Sequence, residues 1–193
     1  MDFLNQYKEQ LYNKLSIFDK WDKRKLALMG LEREFKTYCF LSNNKNWNRE
    51  KEYRSLLDMC WKCILQKENL QESVWEYHEK IKPEKTFLYP ADWMEDSLTY
   101  CNIFAGNTEE LIETLIDDKQ DEETFLVLYI GYILCYLNEK NNSDSYKIDS
   151  YKNNKLIERE IRNQESDMIS VSKIDTFENA YKWYRNCKGV LDE

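Results

Sequence analysis

The side chains that could do chemistry in this chain are six cysteines, one histidine and two groups of carboxylates. Cys60-Trp61-Lys62-Cys63 has the spacing of a thiol–disulfide pair, whose attacking thiol needs a lowered pKa such as a helix N-terminus provides. Tyr53, Leu56, Leu57, Cys60 and Ile64 instead form a helical stripe. That stripe puts Cys60 in mid-helix and predicts a structural thiol, like the other cysteines set in apolar stretches. Zinc would need two more ligands beside this pair, and there is a single histidine. His78 shares an apolar face with Val74, Tyr77 and Ile81 and is expected to be a packed, hydrogen-bonded imidazole rather than a general base. No phosphate loop, metal-ligand cluster or nucleophile motif stands out. The expectation is a protein without catalytic residues, metal or cofactor.

The carboxylates carry more information. Counted along the sequence, residues 1–82 have a net charge of +3, residues 83–144 one of −11, and residues 145–193 are neutral. Within the acidic third, Glu109, Glu113 and Asp117 fall four residues apart, stacking like charges on one helical face at a few tenths of a kcal/mol per pair. Glu110, Asp118, Asp121, Glu122 and Glu123 extend the cluster. A solvated face is the plain alternative, since Glu109, Glu110, Glu122 and Glu123 would sit in first helical turns, where the helix dipole favours anions. Asp117 and Asp118 would lie at a C-terminal end, where it does not. Mutually repelling charges of this kind are what a basic partner would relieve. A second group, Asp92, Glu95 and Asp96, lies beside Tyr89 and Trp93 and is explained by a helix start. Those two aromatics offer the rigid contact area found at interfaces.

Helices must position these groups. Only 4 Gly and 2 Pro occur in 193 residues, too few for the tight reversals of a sandwich or barrel. Apolar residues recur at i, i+3, i+4 through most of the chain, which predicts an all-α, single-domain bundle of about eight or nine helices. Leu4, Tyr7, Leu11 and Leu15 mark the first. Leu28, Leu31, Phe35, Tyr38 and Cys39 mark a second, ending at Ser42-Asn43-Asn44, and a third runs from about Asn48 to Gln66. Ser73 to Glu76 fits a capping box that starts a short helix ending before Pro83. Residues 82–90 hold both prolines and separate two helical groups, about 1–82 and 91–193. In the second group a helix from about Ala91 is expected to stop at Gly106, and Asn107 with Glu110 to cap the next. Leu111, Ile112 and Leu115 form the buried face of that helix. The apolar run Phe125 to Leu137 is expected to be a central pillar, followed by an exposed loop at Asn138 to Asn154, a helix near Lys155 to Gln164, a weak strand signal at Ile169 and Val171, and a last helix with Phe177, Ala180, Tyr181 and Tyr184.

A longest apolar run of this size is too short to span a bilayer, and no basic-then-apolar leader opens the chain, so a cytoplasmic protein is expected. A net charge of −8 argues against nucleic acid or anionic membrane as the main ligand.

Three stretches resemble the YjaG-like family of small, all-helical bacterial proteins: Lys25 to Met29 with Glu32-Arg33, Arg54 to Asp58 with Trp61, and Tyr89-Pro90 with Asp92 and Leu98. The likeness covers about residues 17–137. That family typically has a proline soon after the Glu-Arg pair, where this chain has Phe35, Lys36 and Thr37. The resemblance implies a helical fold, and helical relatives of this size that look like immunity proteins of bacterial toxin systems. Together these readings predict a protein-binding protein that occludes a basic toxin domain with the acidic face. The rival expectation is an enzyme or small-ligand protein with a pocket between the two helical groups, near Trp61, His78, Tyr89 and Trp93.

Overall fold

The computed structural model describes residues 3–42, 48–82, 96–117 and 155–189. Among them lie seven α-helices, not eight or nine: α1 (Phe3–Leu15), α2 (Lys20–Ser42), α3 (Glu50–Gln66), α4 (Glu72–Ile81), α5 (Asp96–Asp117), α6 (Lys155–Ser170) and α7 (Phe177–Asn186), with a 3₁₀ turn at Val171–Lys173 after α6. No strand occurs among the described residues, and Ile169 and Val171 are helical. None of the described helices is long and apolar enough to cross a membrane.

The centre is α2. Arg24 and every residue from Leu26 to Phe35 are buried, so the helix has no solvent face along its middle, and α3, α5, α6 and α7 pack round it. The run Phe125 to Leu137, expected to be the pillar, lies outside the described residues. On α2, Phe35 and Tyr38 meet Tyr53 of α3 and Phe104 of α5 in an aromatic cluster with ring centroids 4.8–5.8 Å apart across the helices. Such pairs add about 0.5–1.5 kcal/mol each beyond the area they bury.

Local chemistry sets several helix ends. Asn48 Oδ1 accepts the Glu50 N–H at 2.9 Å at the start of α3, and Lys67 ends it in the left-handed region at φ 57, with the Glu68 N–H closing back on Cys63 O at 3.0 Å. The Thr176 hydroxyl caps α7 by accepting the Asn179 N–H. The capping box expected at Ser73 does not form, because α4 has begun before it. Gln71, extended at φ −79 and ψ 145, is the flanking residue and makes no side-chain cap.

The largest departure is in α5, one continuous helix where two were expected. Tyr100, Cys101, Phe104, Thr108, Leu111, Ile112 and Leu115 form an unbroken buried stripe against α2 and α4. Its packing outweighs the roughly 1 kcal/mol that Gly106 costs in a helix interior. Asn107 is therefore not a cap. It is buried in mid-helix and donates through Nδ2 to both carboxylate oxygens of Glu34, at 2.9 and 3.0 Å.

Candidate functional site

Of the residues expected to bind a partner, Glu109, Glu110, Glu113 and Asp117 lie on α5. Asp118, Asp121, Glu122, Glu123, Tyr89 and Trp93 fall outside the described residues. Glu110, Glu113 and Asp117 are exposed, while Glu109 is half-buried and pairs with Lys82, just past the end of α4, at 3.4 Å. Because α5 runs through Gly106, Glu109 and Glu110 stand in mid-helix and not in a first turn. The dipole that would have explained them is absent there. Glu110 carries the consequence: partial burial, then the charges of Glu113 and Glu109, raise its carboxyl pKa above the ordinary value. The ridge is electrostatically strained at the level of a few tenths of a kcal/mol per contact.

At the inner edge of this ridge α4 and α5 bring together a cluster with mixed donors. His78, Glu79 and Glu109 each present a ligand-type atom, and the three atoms lie within 4.8 Å of one another. Lys82, one turn beyond His78, pairs with both Glu79 and Glu109. His78 is fully buried, with the rings of Tyr53 and Trp75 beside it at centroid distances of 6.2 and 6.3 Å. Among the described residues neither ring nitrogen closes a hydrogen bond of normal geometry, and the Ala105 backbone is the polar group beside the ring. Burial, then the positive charge of Lys82, lowers its pKa to about 4, with the Ala105 backbone offsetting part of the effect. The ring is neutral at pH 7. Its distance of some thirty positions from Glu109 hid this meeting from the sequence.

The consecutive residues Glu32, Arg33 and Glu34 are all buried at the middle of α2. At 100° per residue their side chains fan out to three different neighbours. Glu32 takes two bonds from Arg54 of α3 at 2.6 and 2.7 Å and a third from Trp61 Nε1 at 2.8 Å. Arg33 donates to Glu160 at 2.7 and 3.3 Å and to Asp167, both on α6. Glu34 faces Asn107, and its backbone carbonyl accepts the Tyr100 hydroxyl at 3.2 Å. A hydrophobic-periodicity reading has no signal for three charged residues in a core. Only the resemblance singled out Glu32 and Arg33.

Trp61 and His78, paired in the rival pocket, lie at different interfaces: Trp61 faces Glu32 and α7, and His78 sits between α4, α3 and α5. A polar cleft of about 300 Å³ does open elsewhere, between Arg33 of α2 and Asn163, Asp167, Trp183, Asn186 and Lys188. Cys60 is fully buried and Cys63 nearly so, and burial pushes the Cys63 thiol up to about 11 and that of Cys60 further. Both are thiols, not thiolates, at neutral pH, as the mid-helix position predicts.

No protein-family model matches the chain, and no curated protein matches it either. Among solved structures, a DUF416 family protein from Shewanella baltica is similar in fold, with a TM-score of 0.70 over 90% of each chain at 15% identity. The likeness is one of helical architecture, which the sequence resemblance also implied.

Proposed function

We propose that this chain is a binding protein that takes a basic protein partner onto the exposed acidic ridge of α5, most concretely an immunity protein that occludes a bacterial toxin domain. One observation carries the reading: Glu110, Glu113 and Asp117 project from the middle and C-terminal end of a continuous helix, where the helix dipole gives anions no support. Repulsion kept on a surface at a cost to stability is relieved when a cationic surface covers it, and the field of such a ridge accelerates encounter. Reversing Glu113 and Asp117 to Lys makes the contacts of position 113 with Glu109 and Glu110 attractive, leaves the 113–117 pair like-charged, and puts cations where the helix C-terminal end favours them. The free protein gains about 0.5–1 kcal/mol.

The test is binding to basic toxin domains encoded beside this gene, followed by surface plasmon resonance at several salt concentrations. The double reversal should slow association by about tenfold or more, an effect that fades as the Debye length falls from about 10 Å at 0.1 M salt to 3 Å at 1 M. Unchanged rate and salt dependence in a variant that is more stable would make the ridge a solvated face.

A second reading rests on the cleft beside Arg33. Its volume is at the lower end of the range for small-ligand sites, and it lies between the two helical groups, lined by different residues from those expected. A small polar metabolite that raises the Tm of the protein, and no longer does so in Asn163→Leu, would favour it.

A further inference from the structure

We propose that His78, Glu79 and Glu109 form a binding site for a divalent first-row transition metal, with zinc as the reference ion. Three kinds of observation converge on it. The first is placement: one imidazole nitrogen and one carboxylate oxygen from each glutamate already lie within 4.8 Å of one another across the α4–α5 interface. Ligand atoms round a tetrahedral zinc with bonds of about 2.0–2.1 Å stand about 3.4 Å apart, so the side chains need close by at most about 1.4 Å.

The second is the state of the imidazole. His78 is completely buried, and apart from the Ala105 backbone its ring nitrogens have no partner among the described residues. An orphaned buried polar atom costs about 1–3 kcal/mol, which coordination would recover. The Ala105 backbone beside the ring is placed as the orienting neighbour that metal-bound histidines commonly have.

The third is that the position already attracts a cation. The Lys82 ammonium pairs with Glu79 and Glu109, and it comes from a flexible side chain that keeps one-fifth of its surface exposed. Metal binding would exchange that ammonium for the ion, with Lys82 swinging towards solvent. One nitrogen and two carboxylate oxygens suit zinc, cobalt or manganese. They do not suit calcium, which takes an all-oxygen shell, or copper(I), which prefers sulfur. Three protein ligands leave a fourth position for water. The site shares Glu109 with the acidic ridge but uses none of Glu110, Glu113 or Asp117.

The experiment is calorimetric titration of the metal-free full chain with Zn²⁺ and spectroscopic titration with Co²⁺. One equivalent should bind with Kd of about 10 μM or tighter. Lys82→Met, which removes the competing cation, should tighten binding by about tenfold or more, and Glu109→Gln should weaken it by about tenfold or more. Both positions are partly exposed, so these variants keep their fold, which thermal unfolding without metal would verify. The Co²⁺ spectrum should lack a thiolate charge-transfer band. Asp117→Lys, two helical turns from Glu109, should bind metal as the native chain does, even where it weakens binding of a protein partner, which separates this site from the proposed interface. The proposal fails if neither the native chain nor Lys82→Met binds saturably below about 1 mM, since Lys82 is then the permanent counter-ion. It also fails if binding is unaffected by Glu109→Gln or shows the thiolate band, which would assign the ion to cysteines.

Discussion

Glu34 is fully buried, and among the described residues the Asn107 amide and not a cation is its hydrogen-bond partner. Burial raises its carboxyl pKa well above 4.5; the Asn107 amide pulls it down and the Glu160 charge pushes it up, with Arg33 a smaller opposing influence. A carboxyl whose folded-state pKa is raised holds its proton in the fold at a pH where the unfolded chain has lost it. Stability contributed by the neutral acid is therefore complete below the unfolded value near 4.5 and is lost as pH rises from there towards the folded pKa. Glu34→Gln supplies the neutral form permanently and keeps one oxygen for Asn107. Urea unfolding should show the variant more stable than the native chain at pH 7, with the difference closing by pH 4. A variant that is less stable at pH 7, or a difference independent of pH, would show that Glu34 is ionised in the fold. Nothing in the sequence marks Glu34 as different from any other helical glutamate. Its chemistry comes from Asn107, some seventy positions away.

At the scale of elements, α5 shows which signals win when they conflict. Gly106 and the Asn107–Glu110 spacing are both local punctuation, whereas the stripe Tyr100-Phe104-Leu111-Leu115 extends over four turns. Local preferences there amount to about 1 kcal/mol, and burial of several large side chains against α2 amounts to more. The glycine is left as a weak point with no structural duty. It is exposed, and a Cβ built on it meets nothing within 4 Å. Gly106→Ala should therefore raise stability by about 0.5–1 kcal/mol, seen as a higher urea midpoint at unchanged slope. A loss of stability would mean that the helix bends or opens at this position. The acidic ridge depends on the same continuity, because a break at Gly106 would return Glu109 and Glu110 to a first turn.

For the whole molecule, the buried ion cluster of Arg33 joins α2 to α6 across more than 120 positions of sequence. With Arg54 bridging Glu32 and Asp58 and lying 4.9 Å over the ring of Tyr184, it fixes where α6 and α7 dock on the central helix. Removing a buried cation while leaving its carboxylates costs about 3–5 kcal/mol, whereas replacing the whole cluster by neutral groups costs much less. Arg33→Met should thus lose about 3–5 kcal/mol in chemical denaturation. Adding Glu160→Gln and Asp167→Asn should restore more than half of that. If the triple variant is no better than the single one, the arginine acts through packing of its stem and not through charge. Its burial beside the cleft also means that a ligand seated there would feel an ion pair whose charges are already matched to each other.

The helical class, the bounds of α3, the existence of α7, the buried face of α1, that of the second half of α5 and the inert placement of Cys60 and Cys63 were all legible from periodicity and composition, because they depend on residues within a turn or two of each other. The burial of α2 was not. Apolar content drew attention to Phe125–Leu137, which lies outside the described residues, and passed over α2, whose burial includes charged side chains that only partners on other helices make tolerable. The same holds for the junction of His78, Glu79 and Glu109 and for the loss of a dipole beneath Glu109 and Glu110. A residue's type and spacing determine which face of a helix it occupies. Which charge, ring or carbonyl stands opposite that face is decided by how the helices pack, since electrostatic and hydrogen-bond energies turn on separations of a few ångströms that sequence distance does not encode.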